Sequence, residues 1–156
     1  MPVITVTVDT ELPIRSILAS ASDFTPRRSD VFPAVEAKHF VVHNVEGPTA
    51  DVTEGTGTGI GTSWERCRYD WSTPGLVTAT VTDSNVYGPG SSWRITAEPA
   101  PAGTRVEMSW IRRFKHTPRG VLFGTAFRII GRPLFRKYAR QVVANLEALE
   151  AAGNLS

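Results

Sequence analysis

Two histidines four residues apart, His39 and His43, are the first residues in this sequence whose spacing suggests chemistry. On a helix, that spacing would bring both imidazoles to one metal ion. They lie in segment 35–45, whose apolar residues alternate, so we predict a strand in which about 13 Å separates them. The HExxH motif is absent and the chain has a single cysteine. We therefore expect neither a metal ion nor a cofactor.

Four side chains have the chemistry to move a proton or polarise a carbonyl in an apolar pocket: His39, His43, Tyr69 and Arg112. Imidazole titrates near neutral pH, which suits a general acid or base. The sequence establishes no pair among them, and a histidine bonded to backbone or water explains the same pattern. Cys67 has no clear partner that would lower its thiol pKa, so we interpret it as a buried apolar residue and not as a nucleophile.

The glycine-rich segment 55–61 resembles a phosphate-binding loop in composition only. Such a loop leads into a helix whose N–H groups meet the phosphate. Here the alternation typical of a strand resumes at Thr62, and no Gly-Lys-Ser/Thr follows. We predict a flexible hairpin between two strands and no bound nucleotide.

Length and composition are those of one globular domain. The 156 residues are 41% hydrophobic and 21% charged, so we predict a single domain over residues 1–156. The net charge of +2 is small and no known nucleic-acid-binding module is visible, so we expect no nucleic-acid partner. The sequence shows neither a signal-peptide pattern nor a run of 18 apolar residues, and a cytoplasmic location is expected.

Glycine and proline divide most of the chain into segments with the period of a strand. Val3–Val8 predicts the first strand, and two short helices are predicted at 11–20 and 26–32. Six further strands are predicted at 35–45, 51–58, 62–71, 76–83, 92–98 and 104–114. The short links between these strands favour an antiparallel meander.

The last third of the chain is basic and has the period of a helix. Between Glu107 and Glu147 there are nine Lys or Arg and no acidic residue. Apolar residues recur at three and four over 119–151, which predicts one helix with a kink near Pro133. Four arginines at four-residue spacing form a stripe beside the apolar arc: Arg128, Arg132, Arg136 and Arg140. The stripe predicts either contact with an anionic membrane or a solvated face paired with acids elsewhere in the fold.

The order of strand, two short helices, six strands and long helix resembles that of the START-like (SRPBCC) superfamily, in its polyketide cyclase/dehydrase and lipid-transport branch. The segments that carry the resemblance are 22–24, 31–35, 55–57, 65–71, 103–106 and the closing helix. The resemblance implies an α+β helix-grip fold, in which a seven-stranded curved antiparallel sheet wraps around a long C-terminal helix. It also implies an internal cavity for a lipid, sterol or polyketide.

Strand alternation and helix periodicity indicate which side chains would face that cavity. The more apolar face of each element gives a set with a few polar groups, as in small-molecule pockets. The predicted ligand-binding residues are His39, Val41, His43, Cys67, Tyr69, Trp71, Trp93, Met108, Trp110, Phe123, Phe127, Ile130, Leu134 and Tyr138. The alternative is that these side chains only fill a core.

Three functions remain open from the sequence. Binding or transport of a hydrophobic small molecule is favoured, because no compact catalytic group is visible. A cyclase or dehydratase would use the cavity histidines, tyrosine or arginine on a polyketide-like substrate. A protein-interaction module would use the sheet or the basic helix.

Overall fold

The computed structural model describes residues 3–154 and shows an α+β protein with seven strands and a long C-terminal helix. The elements in chain order are β1 Val3–Thr10, α1 Ile14–Ala21, α2 Arg28–Val31, a 3-10 turn Ala37–His39, β2 Val41–Glu46, β3 Thr49–Thr58, β4 Gly61–Asp70, β5 Leu76–Ser84, β6 Ser92–Ala100, β7 Gly103–Ile111 and α3 Pro118–Ala151. Within residues 3–154, no helix is both long and apolar enough to cross a membrane.

All seven strands belong to one curved antiparallel sheet. The strand order is β1-β7-β6-β5-β4-β3-β2, so the six later strands form a meander and β1 pairs with the last of them. Along β1 and β7 the register runs without a break from Val3 opposite Ile111 to Thr10 opposite Thr104. The helix-grip architecture predicted from the sequence is confirmed.

Strand β2 departs from the prediction. The predicted strand over 35–45 begins only at Val41, because a 3-10 turn occupies Ala37–His39. The register with β3 then skips His43, which forms a β-bulge between Val42 and Asn44. All six residues of β2 are exposed, since this edge strand has neither face covered. The prediction that Val41 and His43 face the interior is therefore wrong.

Helix α3 begins with a defined cap and runs without interruption past its internal proline. The Thr117 hydroxyl accepts a hydrogen bond from the Gly120 N–H at 3.1 Å, and Pro118 occupies the first turn. Pro133 lies inside the helix and has no N–H to donate, so the local hydrogen-bond ladder lacks one bond.

The two halves of α3 pack differently against the sheet. The second half buries Ala139, Val142, Val143 and Leu146, whereas the fully buried residues of the first half are all glycines, at 120, 124 and 131. A Cβ atom on Gly120 would lie 2.1 Å from the Lys115 carbonyl oxygen, and one on Gly124 would lie 3.2 Å from the Phe114 ring. The first half therefore approaches the sheet through its backbone.

This packing corrects two sequence predictions. Ile130 and Leu134 are 50% and 53% exposed, so neither faces the interior. At about 100° per residue they lie on the flank of the arc that contains Gly120, Gly124 and Gly131. Glycine has no side chain and is not counted as apolar in the periodicity of a helix. The periodicity of α3 therefore placed its buried face too far toward Ile130 and Leu134.

Candidate functional site

A row of aromatic rings fills the space between β7 and α3. Trp110 packs edge-on against Phe135, with ring centroids 4.7 Å apart. Phe135 contacts Phe127 at 5.4 Å, and Phe127 contacts Phe114 at 5.4 Å. Tyr87 continues the row beyond Phe114 at 5.5 Å. The row thus connects the centre of the core to the end of the last strand.

A cleft lies at the outer end of this row, between the segment after β7 and the first turns of α3. Its volume is about 450 Å³. The segment after β7 lines it with Arg112, Arg113, Phe114, Lys115 and His116, and helix α3 lines it with Gly120, Val121, Gly124, Thr125 and Arg128. Apolar contacts combined with a few polar side chains are typical of a ligand site.

Arg112 is buried, with 4% of its surface exposed, unlike the other basic residues of the lining. Its Nη1 donates to Glu65 Oε2 at 2.9 Å, and its guanidinium lies 4.3 Å from the centre of the Tyr87 ring. Burial alone would lower the pKa of Arg112, but the Glu65 carboxylate and Tyr87 outweigh it and raise that pKa. Arg112 Nε has no hydrogen-bond partner among the described residues.

A second buried arginine, Arg28, holds the short helices to the sheet. Its Nε donates to Glu54 Oε1 at 2.5 Å, and its Nη2 donates to the Tyr69 hydroxyl at 3.1 Å. Its Nη1 donates to the carbonyls of Ala21 and Asp23. The guanidinium also lies 4.6 Å from the ring centres of Phe24 and Phe32. Every nitrogen of this arginine is used, so its role is structural.

Sequence reasoning missed Arg28 and the acids that pair with the two buried arginines. The alternation of inward and outward residues along β3 and β4 could have identified the two acids. On β3, Ala50 and Val52 are buried and Glu54 follows at the same parity. On β4, Cys67 and Tyr69 are buried, which places Glu65 on the inner face. An acid at an inward position requires a buried base or hydrogen-bond donors.

The predicted ligand-binding residues fall into three groups by burial. Cys67, Tyr69, Trp93, Met108 and Trp110 are buried; His39, Trp71, Phe123, Phe127 and Tyr138 are partly buried; Val41, His43, Ile130 and Leu134 are exposed. The cleft wall contains none of these fourteen residues, although Phe127 contacts its Phe114.

The structure does not join the four predicted catalytic residues into one group. His43 Nε2 lies 2.7 Å from Thr53 Oγ1 on the exposed edge of the sheet, and His39 lies in the turn before β2. Tyr69 bonds to Arg28, and Arg112 bonds to Glu65. Within residues 3–154, no group of three His, Cys, Asp or Glu side chains has a geometry that would hold a metal ion.

Burial also decides the chemistry of the thiol and phenol groups. It raises the pKa of Cys67, and the nearby carboxylates of Glu65 and Glu54 raise it further. Burial likewise raises the pKa of Tyr69, Tyr87 and Tyr138. At neutral pH these groups stay protonated, so Cys67 is a poor nucleophile and the phenols are neutral. The neutral Tyr69 hydroxyl accepts its hydrogen bond from Arg28.

The three tyrosines, which are all the tyrosines of the chain, give a test in alkaline solution. An unfolded tyrosine loses its proton near pH 10, below the raised pKa of each phenol in the folded protein. The unfolded state therefore binds fewer protons, and the free energy of unfolding should fall as the pH rises above about 10. We expect tyrosinate absorbance to appear together with loss of the circular dichroism signal. If any tyrosine ionises near its usual pKa in a fully folded sample, its pKa is not raised by burial and the prediction is wrong.

A larger depression, of about 620 Å³, lies where α2 meets the end of α3. Its lining is Pro26, Arg27, Asp30, Leu149, Gly153 and Asn154. None of these residues is buried, and none presents an unsatisfied buried polar atom. The cleft beside Arg112 is the better candidate site for this reason.

Comparison with known proteins gives a shared fold at low sequence identity. No protein-family model matches this sequence, and no curated protein matches it. Among solved structures, TTHA0849 from Thermus thermophilus is similar with a TM-score of 0.75 and 15% identity, over 97% of this chain and 99% of that one.

Two other similar structures belong to proteins whose names state a protein class. The ZhuI aromatase/cyclase from Streptomyces sp. R1128 has a TM-score of 0.76 and 12% identity, over 95% of this chain and 94% of that one. A START superfamily protein from Mycobacterium smegmatis has a TM-score of 0.63 and 13% identity, over 96% and 95%. At these identities the likeness establishes the fold alone, which is the helix-grip fold described above.

Proposed function

We propose that this protein binds a hydrophobic small molecule between the segment after β7 and the first half of α3. The observation that carries the proposal is the cleft of about 450 Å³, which meets the aromatic row at Phe114. Small-molecule sites typically occupy roughly 300–1,000 Å³ and combine apolar walls with a few polar groups. A lipid, a sterol and an aromatic polyketide are the ligand classes that the shared fold suggests.

Access to the aromatic row depends on the first half of α3. That half is held by glycine contacts and by Phe127, whereas the second half is anchored by Ala139, Val142 and Leu146. The first half has no fully buried side chain, so its displacement should expose less apolar area and cost less than displacement of the second half. Pro133 separates the two halves and weakens the helix between them. Movement about Pro133 would expose Phe114 and Phe127 to a ligand.

A tryptophan at position 125 should block the cleft. Thr125 lines the cleft and its side chain is exposed, so the larger ring fills the mouth without disturbing the core. We expect Thr125→Trp to bind neutral ligands at least about tenfold more weakly, a loss of roughly 1.4 kcal/mol. Isothermal calorimetry with decanol, a sterol and a neutral aromatic polyketide would measure the affinities.

The matched control is Ala144→Trp, which adds the same side chain at an exposed position of the same helix, away from the cleft lining. This variant should bind like the wild type. Equal binding by Thr125→Trp and the wild type would locate the ligand elsewhere. Failure of the wild type to bind any member of the panel would reject the proposed function.

The exposed face of α3 is proposed as the surface that meets an anionic membrane. This docking face combines three apolar residues that are 48–73% exposed with the arginine stripe. Its apolar members are Val121, Leu122 and Ile129, and its basic members are Arg128, Arg132, Arg136 and Arg140. A mixed apolar and cationic helix face is suited to the headgroup region of a bilayer that contains anionic lipid.

Two further observations support the docking face. Among the described residues, the salt bridges involve none of the four arginines, so the stripe is not neutralised by acids elsewhere in the fold. Val121 and Arg128 belong to both the docking face and the cleft wall. A ligand could therefore pass from the bilayer to the cleft without crossing open water.

Charge removal from the stripe should weaken vesicle binding. Each arginine near an anionic surface contributes about 1 kcal/mol, so Arg132→Gln with Arg136→Gln should lower the partition coefficient roughly 30-fold. Cosedimentation with vesicles containing phosphatidylserine would measure it. The control, Arg68→Gln with Arg94→Gln, removes the same charge from exposed positions of the sheet. Equal losses for both pairs would indicate a general charge effect and reject the docking face.

A further inference from the structure

The unbonded Nε of Arg112 is the feature of the cleft that hydrophobic binding leaves unexplained. A buried N–H without an acceptor costs roughly 1–3 kcal/mol, so an acceptor is expected at such a position. Glu65 already receives bonds from Nη1 and Nη2 of the same guanidinium. Arg112 also lines the cleft, but its Nε is buried, so an acceptor in the cleft reaches this atom only when the lining opens.

We infer that the cleft holds the anionic head group, a carboxylate or a phosphate, of an amphipathic ligand, with Arg112 as its buried anchor. The inference rests on the proposed function and narrows its ligand class. The apolar tail would lie along Phe114 and Val121, next to Phe127. The head group would lie beside Arg112 and Lys115.

The charges that surround the cleft favour an anion. Glu65 compensates the charge of Arg112, which leaves Arg113, Lys115 and Arg128 as basic groups of the lining. No acidic residue is part of the lining. Lys115 is held in place because its Nζ donates to the Ser84 carbonyl. The positive end of the α3 dipole points to the same region, since Gly120 lies in the first turn of the helix.

Position and burial distinguish Arg112 from the other arginines. Arg28 is equally buried, but all its nitrogens are bonded and it does not line the cleft. Arg113 and Arg128 are exposed, where water screens their charge. A charge-assisted bond to a buried arginine is stronger than one at the surface. Arg112 should therefore determine head-group preference, and the exposed arginines should contribute less.

Ligands with the same tail and different head groups test the inference. We would titrate the full-length protein with decanoate, decyl phosphate, decanol and inorganic phosphate by isothermal calorimetry, without vesicles. The two amphipathic anions should bind at least about tenfold more tightly than decanol. Inorganic phosphate should bind more weakly than decyl phosphate, because it lacks the apolar tail.

The variant that removes the anchor must also remove its buried partner. Arg112→Met with Glu65→Gln leaves no unpaired charge, and circular dichroism would verify its fold. In this variant the ratio of decanoate affinity to decanol affinity should fall to about one. Arg94→Gln, an exposed change on the sheet, should keep the wild-type ratio.

The outcomes separate this inference from the proposed function. Equal affinities of the wild type for decanoate and decanol would overturn the head-group site and leave hydrophobic binding intact. If the folded double variant still prefers decanoate over decanol, Arg112 does not bind the head group. Equal affinities for inorganic phosphate and decyl phosphate would show that the apolar tail adds nothing to binding. That result would overturn the inference that the ligand is amphipathic. No binding of any ligand would reject both proposals.

Discussion

Replacing Arg28 with methionine should destabilise the protein by about 3–5 kcal/mol, which is the usual effect of breaking a buried ion pair from one side. The substitution leaves Glu54, itself 7% exposed, without its 2.5 Å partner. It also removes the donors to Tyr69 and to two carbonyls that tie α1 to the start of α2. Urea unfolding followed by circular dichroism would measure the change.

The neighbouring residue is a matched control for this prediction. Arg27 is partly exposed and lies 3.8 Å from Asp23, so Arg27→Met should change the free energy of unfolding by less than about 0.5 kcal/mol. Adding Glu54→Leu to Arg28→Met should recover much of the loss, because no buried charge is then left unpaired. A single Arg28→Met variant as stable as the wild type would show that Glu54 finds other partners.

The fold could be predicted because its determinants are local. Glycine and proline separate the strands, and the period of the apolar residues changes from two to about 3.6 at the start of α3. Strand β2 shows the limit of this reasoning. Its apolar residues alternate like those of the neighbouring strands, but the bulge at His43 changes the parity and no element covers either face.

The candidate site was harder to predict because its residues carry weak or misleading signals. Gly120 and Gly124 bring α3 close to the sheet, yet glycine contributes nothing to an apolar pattern. Buried arginines are rare, so hydropathy places Arg28 outside, whereas the alternation along the last strand places Arg112 inside. The alternation of residues along β3 and β4 indicates that Glu54 and Glu65 face inward. The sequence alone cannot select their partners from the 17 Lys and Arg residues.

Trp110→Ala should also destabilise the protein by about 3–5 kcal/mol, as expected for removal of a large buried aromatic side chain. Trp110 is 3% exposed and contacts Phe135 and Tyr138, so it anchors the second half of α3. Phe114→Ala should cost less, because Phe114 is only partly buried and contacts the first half of the helix. Urea unfolding of the two variants in parallel would test whether Trp110→Ala lowers the free energy of unfolding more than Phe114→Ala.

The same pair of variants distinguishes the cleft from the internal cavity that the sequence suggested. If the ligand lies in the cleft, Phe114→Ala should bind decanol about tenfold more weakly, while Trp110→Ala should keep its affinity under conditions where it is folded. The opposite result would place the ligand deeper, among Trp110, Tyr138 and Trp93. The cleft is favoured because ring contacts already occupy that deeper space: Tyr69 lies 5.8 Å from Trp93, and Trp110 lies 6.0 Å from Tyr138. A ligand there would have to displace packed aromatic side chains, whereas the cleft already offers about 450 Å³ beside Phe114.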